Sequence, residues 1–440
     1  MTSGSIAWLR DLVDHEISSV GVSAGQIEGL SLRSAATVLD ALGRPDESYR
    51  IVHVTGTNGK GSVCRMVEAL IMAAGLRCGT YLSPEGTVNE RIRIDGRPID
   101  DDALADAVSS VRGAADHLGE LLTAFEAVTL AALVAFADAP VDVAVVEVGL
   151  LGRYDATNVV DGDVAVVTTV GGDHTDFAPG WRDRVASEKA GILKARSEAV
   201  IGSVGSDALA HFVAEGPESL VLLGRDFDAV DDRVALGGRR TYVATSRGSR
   251  FEVFVPLHGA HQAENAAIAI EATESVLHAR LDDDVVVAAF ETLRIPGRVE
   301  MVSSEPVVVL DGSHNPDAGA ALGRTLAESF VVSGRRVAVV GMLRGRDPHR
   351  YLAALNDEFP IDLLVAATLP APRGLSAADL AAAGERLGLP VVVAGSVGDA
   401  VTRAMREADQ ADLIVVSGSF RVVDDARAAV SAHLSANRSR

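Results

Sequence analysis

Apolar residues in this chain follow two rhythms, short unbroken runs and longer stretches at helical spacing. Residues 51–54 form a compact run that reads as a buried strand. After a polar interruption, Val63, Met66, Val67, Leu70 and Ile71 recur every three or four positions, predicting a helix. Residues 1–50 read as helical, with Leu30, Leu32, Ala35, Val38, Leu39 and Leu42 on one apolar face before Gly43. A second strand is predicted around 77–82, followed by a polar loop at 83–92. Helices follow at 100–118 and from 122 to 137. Residues 141–148 are almost pure valine and alanine, the signature of a strand covered on both faces in a parallel sheet, and 164–170 repeat it. Residues 197–257 look richer in strand, near 199–204 and 251–255. A helix carrying His261, Gln262 and Asn265 comes next. Pro296, Gly297 and Arg298 read as a hinge. Beyond it strands at 307–310, 337–340, 363–367, 391–394 and 413–416 alternate with helices. The pattern predicts an α/β protein. Residues 1–296 form a domain with a mainly parallel sheet, N-terminal helices and a small β-rich part near 197–257. Residues 297–440 form a smaller, doubly wound, Rossmann-like domain.

Between the first strand and its helix lies the glycine-rich stretch Gly56-Thr57-Asn58-Gly59-Lys60-Gly61-Ser62. Glycines let a strand curl tightly into a helix, and the N–H groups and positive dipole end there attract phosphate. Lys60 adds a point charge for the β- and γ-phosphates, and Ser62 or Thr57 a hydroxyl near a metal ion. Gly61 between the lysine and the hydroxyl departs from the usual phosphate-loop spacing. A plain structural turn is the competing reading, which the strand–loop–helix context weakens.

The formal charge of −21 and the lack of a long basic run argue against nucleic acid or an anionic membrane as partner. Hydrophobic residues make up 48% of the chain, enough for large cores. No apolar run reaches membrane-spanning length, because Asp138, Pro140, Asp142 and Glu147 break the richest region. Cys64 and Cys78 read as small core residues rather than a disulfide, which fits a reducing cytoplasm. No secretory signal is visible.

Further candidates stand at predicted strand ends. Ser83, Glu147 and His174 could ligate magnesium, an ion that favours hard oxygen donors; the imidazole is the softer member. Each alone reads more readily as a cap, salt-bridge partner, or core or surface residue; together, at strand ends of one sheet, they favour the metal. Lys189 reads first as a solvated helix charge. Its setting between Glu188 and Ala190-Gly191-Ile192 suggests instead a packed helix start. A desolvated lysine sheds its proton and can take up carbon dioxide as a carbamate. Asp311-Gly312-Ser313-His314-Asn315-Pro316 follows a strand as a turn, or presents Asp311 and His314 to phosphates. Ser417-Gly418-Ser419-Phe420 ends the last strand similarly.

These motifs, in this order, give the chain a resemblance to the folylpolyglutamate synthase/dihydrofolate synthase family of the Mur ligase superfamily, from about Gly29 to Arg427. They include the loop at 56–62, Ser83-Pro84, Glu90-Arg91-Ile92, Phe125-Glu126, residues 147–158, Asp173-His174-Thr175, residues 188–192, Asn265, Pro296-Gly297-Arg298 and residues 311–316. The resemblance implies a Mur-ligase-like fold and a cytoplasmic, monomeric, ATP-dependent amide ligase. A substrate carboxylate would become an acyl phosphate, which the amine of L-glutamate then attacks. Thr57, Asn58, Gly59, Lys60, Gly61, Ser62, Asn265, Arg298 and Asp311 would hold the nucleotide. Ser62, Ser83, Glu147, His174 and carbamylated Lys189 would hold two magnesium ions. Lys60, Lys189, His174 and His314 would carry the catalysis. Leu122, Thr123, Ala124, Phe125, Arg153, Tyr154 and Asp155 would meet the pterin. His314 and Ser419 would stand near the incoming glutamate. The resemblance also leaves room for a potassium ion. Domain closure about 296–298 would keep water from the acyl phosphate.

The chain departs from the family at Glu85-Gly86, at Leu151 and Tyr154 within the usual Gly-Gly-Arg-Leu-Asp, at residues 177–180, and at Gly345-Arg346-Asp347. Most departures border the expected pterin pocket. A ligase with another acceptor carboxylate or amino acid therefore stays open. A non-catalytic nucleotide-binding regulator and a simple NTPase or kinase are the readings from other classes.

Overall fold

A computed structural model describes residues 2–13, 31–83, 87–173, 175–370 and 372–438. The chain divides into two compact units. The first comprises Met1–Asp232, Arg240–Val255 and Gln262–Leu293, and the second Arg233–Arg239, Pro256–His261 and Arg294–Arg440.

The valine-rich runs build the sheet of the first unit. Its strands are β1 (Arg50–Thr55), β2 (Cys78–Tyr81), β3 (Ile92–Ile94), β4 (Arg97–Pro98), β5 (Val143–Glu147), β6 (Val164–Thr169), β7 (Glu198–Ser203) and β8 (Ser219–Leu222). They lie in the order β4-β3-β2-β5-β1-β6-β7-β8. Pairing is parallel from β2 to β8, and the β3–β4 end is antiparallel. All five residues of β5 are buried, as expected of a strand covered by helices on both faces. The helix Ala124–Asp138 is nearly all apolar because its whole middle is buried. Its Phe136 fills the space over Gly79 of β2, where a Cβ would come within 2.5 Å of the ring. Burying such a side chain contributes about 1.5–3 kcal/mol. Among the described residues no helix is long and apolar enough to cross a membrane. Cys64 and Cys78 are buried free thiols.

Several expectations change. The helical reading of residues 1–50 becomes helices Thr2–Asp11 and Arg33–Ala41 and a 3-10 turn, Pro45–Ser48; Leu30 lies outside the described residues. Within the stretch 83–92, read as a loop, Val88–Arg91 forms a helical turn under a Thr87–Glu90 capping box. The β-rich reading of 197–257 divides. β7 and β8 extend the main sheet, and only β9 (Asp228–Ala235), β10 (Gly238–Ala244) and β11 (Arg250–Val255) form a separate three-stranded sheet.

In the second unit six strands lie in the order β12-β13-β17-β14-β15-β16. They are β12 (Glu300–Ser304), β13 (Val307–Leu310), β14 (Arg336–Val340), β15 (Leu363–Ala367), β16 (Val391–Ala394) and β17 (Leu413–Ser417). All pairs are parallel except β12–β13. β12 escaped the sequence reading because its burial is only partial and its residues are mixed. Asn315, Asp347, Ser376 and Ser396 each cap the N-terminus of a helix that returns from this sheet.

Candidate functional site

β1 ends at Thr55, and the chain turns through Gly56 into the helix Lys60–Ala73. Gly56 has φ 151°, and a Cβ there would fall 1.8 Å from Thr168 Oγ1. Gly59 has φ 88°, and its Cβ would fall 2.6 Å from Asn265 Oδ1. Only glycine fits either place. The end of β6 clasps the loop: Thr57 N–H donates to Thr169 O at 2.9 Å and Asn58 N–H to Thr169 Oγ1 at 3.0 Å. Thr168 Oγ1 donates to Asn58 O at 2.5 Å. Lys60 Nζ curls back to Gly56 O at 3.1 Å, so its charge lies over the loop.

The first bond of the helix runs from Val63 N–H to Gly59 O. The N–H groups of Gly61 and Ser62 therefore precede it, at the positive end of a 14-residue helix. A rigid turn with no side chains in the way, a helix terminus and an overlying ammonium suit a nucleotide's phosphates. Of the two hydroxyls considered for a metal, Thr57's is engaged with Gly171, receiving its N–H at 2.8 Å. Ser62 is buried at the helix start.

The register of the sheet places Glu147, the last residue of β5, opposite Val54 and thus beside the mouth of the loop. Its Oε2 accepts Ser83 N–H at 3.0 Å, which brings the turn after β2 to the same edge. Both Glu147 and Lys60 act electrostatically on Cys64, in the first turns of the loop's helix. Lys189 lies in the last turn of the helix Trp181–Ala190, not at a helix start. Its side chain is only 4% exposed. Burial holds its pKa well below that of a free lysine, the charge of Lys60 lowers it further, and Asp155 opposes both. Both effects favour the uncharged amine, the form in which lysine is nucleophilic, and the Lys60 charge shows that it lies within the loop's field.

His174 lies outside the described residues, as do Pro84, Glu85 and Gly86. Among the described residues no three His, Cys, Asp or Glu side chains converge as metal ligands. Glu147 with the hydroxyls of Ser62 and Ser83 supplies hard oxygen donors, which suit magnesium.

The stretch after β5 divides its work. Asp155 is buried and saturated: it accepts from Leu150 N–H at 2.7 Å, Thr157 N–H at 3.0 Å and Thr157 Oγ1 at 2.6 Å. Burial raises its pKa against these bonds. Arg153 donates to Ser187 O at 2.9 Å and pairs with Glu215, fastening the loop to the helix that carries Lys189. Tyr154 is 43% exposed, more than either Arg153 or Asp155. Leu151 keeps a left-handed backbone, φ 58°, although its side chain is buried. Leu122 is buried, and Ala124 opens the next helix. Thr123 is spent capping that helix, in a reciprocal box with Glu126. Phe125 covers Gly149, whose Cβ would meet the ring at 2.6 Å, and its ring centroid stands 6.3 Å from that of Tyr81.

One residue escaped the sequence reading. His53, inside β1, is fully buried with Nε2 3.0 Å from Thr157 Oγ1. The hydroxyl gives its hydrogen to Asp155, so His53 Nε2–H donates. The imidazole is neutral, its pKa lowered to about 3 by burial and by Lys194. A polar residue inside an apolar strand was the available signal.

In the second unit both oxygens of Asp311 brace backbone, accepting Val299 N–H at 2.9 Å and Ser313 N–H at 2.8 Å. Arg298 stacks its guanidinium on Phe420, 3.9 Å from the ring centroid. His314 Nδ1–H donates to Gly312 O at 2.8 Å, which sets its tautomer. Ser419 Oγ accepts Arg421 N–H at 3.2 Å and caps the turn after β17. These groups share the carboxyl ends of β13 and β17, where open α/β sheets place ligands.

The chain is similar to known proteins along most of its length. Residues 54–273 match the family described as Mur ligase middle domain, and residues 297–420 the one described as Mur ligase, glutamate ligase domain. The dihydrofolate synthase/folylpolyglutamate synthase of Mycobacterium tuberculosis is 38% identical over 386 residues, covering 81% of this chain and 78% of its own. A crystal structure of M. tuberculosis folylpolyglutamate synthase complexed with ADP and AMPPCP superposes with a TM-score of 0.86 at 34% identity, over 97% of this chain and 98% of the other. The bifunctional folylpolyglutamate synthase/dihydrofolate synthase of Yersinia pestis, complexed with AMPPNP and Mn ion, gives 0.82 at 31% identity and covers 98% of each.

Proposed function

The chain belongs to the dihydrofolate synthase/folylpolyglutamate synthase family of Mur ligases, and on that premise we propose that it joins L-glutamate to dihydropteroate, to a folate, or to both, at the expense of ATP. The observation that carries this reading is the pairing of Lys60, laid over a glycine turn, with the buried Lys189, whose pKa burial and the Lys60 charge both lower. A phosphate loop alone would serve any NTPase. A lysine stripped of water beside it serves a site that must hold extra charge.

The chemistry follows from these residues. The N–H groups of Gly61 and Ser62 and the Lys60 ammonium orient the phosphates, with Thr57, Asn58 and Gly59 shaping the turn and Asn265 closing it. The acceptor's carboxylate oxygen attacks the γ-phosphorus and ADP leaves, forming an acyl phosphate. The glutamate amine attacks the acyl carbon, phosphate leaves, and the nitrogen gives up a proton as the amide forms. Lys189, as a free amine, bonds to carbon dioxide and releases a proton, becoming a carbamate. Ser62, Ser83, Glu147, His174 and that carbamate are the ligands we assign to two magnesium ions. Bound there, magnesium would neutralise charge on the transferring phosphoryl group. We assign Arg298 and Asp311 to the nucleotide and His314 and Ser419 to the glutamate. Leu122, Thr123, Ala124, Phe125 and Tyr154 are assigned to the pterin side. Arg153 and Asp155 act there by holding the loop.

A second reading, a ligase with a different acceptor carboxylate or amino acid, draws support from Tyr154, a departure from the family's usual Gly-Gly-Arg-Leu-Asp that stands 43% exposed. The test is ADP release from the purified protein with ATP, magnesium and L-glutamate, offering dihydropteroate and tetrahydrofolate separately and identifying products by mass spectrometry. Glutamate-dependent release with either acceptor supports the ligase; release with neither, from protein that binds ADP, moves the assignment to another acceptor.

A further inference from the structure

Three buried hydroxyls form a relay in the second unit that the chemistry above does not use. Ser313 belongs to the turn after β13, Ser417 ends β17, and Tyr351 projects from the helix Pro348–Glu358. Tyr351 OH donates to Ser417 Oγ at 2.8 Å. Having one hydrogen, it accepts from Ser313 Oγ at 2.9 Å. Tyr351 and Ser417 are fully buried and Ser313 is 5% exposed, so no water competes for these bonds. The phenol is pinned as well. A Cβ on Gly319 would come within 3.1 Å of its ring, so the helix Pro316–Ser329 packs directly on it.

Backbone bonds join the same two turns: Gly418 N–H donates to Ser313 O at 2.9 Å, and Asp311 N–H to Val416 O at 2.9 Å. The turn after β17 has little room elsewhere. Gly418 has φ 102°, and a Cβ on it would lie 2.6 Å from Gly341 O. One turn carries His314 beside Ser313, and the other carries Ser419 just after Ser417. A phenylalanine would fill the volume of Tyr351, so the hydroxyl's distinctive contribution is the link between turns.

We propose that Tyr351 is a positioning residue, whose hydroxyl sets the spacing between the His314 turn and the Ser419 turn and thereby orients the groups that receive the amino-acid substrate. The proposal rests on the ligase reading, and the Tyr351 hydroxyl acts through Ser313 and Ser417.

The test compares Tyr351→Phe and Ser417→Ala with the unaltered full chain. Glutamate KM should rise roughly tenfold in each, as loss of one buried hydrogen bond permits. ADP affinity measured by titration should stay within about twofold, and the double variant should be no worse than the weaker single one. Amide deuterium exchange should quicken at residues 311–316 and 417–421 and not in β14 or β15. An unchanged glutamate KM, or equal losses for glutamate and ADP, overturns the proposal. If the unaltered protein makes no glutamate-dependent ADP with any acceptor, the ligase reading falls, and the exchange data decide the relay. Unchanged exchange at both turns overturns it, and faster exchange confined to them supports it.

Discussion

Asn265 Oδ1 stands 2.6 Å from the point where a Cβ on Gly59 would be, so the helix Ala260–Leu277 closes against the phosphate loop with no space for a methyl group. Gly59→Ala must therefore displace that amide and also hold alanine at φ 88°, a conformation costing about 1–2 kcal/mol. Calorimetric titration should show ADP affinity down roughly tenfold or more. Gly75→Ala is the control: its φ is 80°, but nothing lies within 4 Å of its Cβ. It should cost stability alone, about 1–2 kcal/mol, and leave ADP affinity intact.

Lys189→Ala should reduce turnover roughly 10²–10³-fold or more, the scale of losing a charge-stabilising group, while circular dichroism and ADP binding persist. In unaltered protein equilibrated with ¹³C-bicarbonate, a carbamate carbon resonance should appear and vanish in the variant. Full activity of Lys189→Ala without added carboxylate would show that neither the amine nor a carbamate takes part.

His53 gives a pH dependence with a definite sign. Its pKa is about 3 in the folded chain against an ordinary 6.5, so below 6.5 the unfolded chain binds a proton that the folded one refuses. Its neutral burial therefore costs nothing above pH 6.5, and stability falls progressively as the pH drops from 6.5 towards about 3. Urea unfolding of His53→Gln, which can still donate to Thr157, should show a shallower loss over that window. Parallel acid profiles for the two proteins would refute the assignment.

Leu151 sets two effects against each other. Its φ of 58° costs about 1–2 kcal/mol, which glycine would relieve. Its side chain is only 4% exposed among Val148, Val167 and Ile192, and truncating a buried leucine costs about 2–5 kcal/mol. Burial wins. Leu151→Gly should lower unfolding stability by about 1–3 kcal/mol by denaturant titration; a more stable variant would mean that strain dominates.

Much of the fold was legible because its signals are local. Valine runs such as β5 and β6 declare strands buried on both faces, and Thr123 followed by Glu126 declares a helix start. The glycines of the phosphate loop declare a turn that other residues could not make. Each of these depends on neighbours a few positions away, which is what sequence spacing records.

Other features depended on segments far apart in the chain. Spacing alone suggests a helix start at Lys189, yet Lys189 ends its helix, where the loop after β5 packs on it through Gly152 and Arg153. Arg153 carries a charge that sequence alone offers to a substrate, while the fold gives it Ser187 and Glu215. β12 is too mixed in its residues to announce itself, and its pairing with β13 makes it a strand of the sheet. The chain's own pattern thus determined most of the valine-rich strands and the longer helices, where the phosphate turn lies, and the family to which the motifs belong. Desolvation, partner choice and the acidity of Lys189, His53 and Asp155 are long-range quantities, because burial and fields arise only when distant elements pack. Those the tertiary structure alone decided.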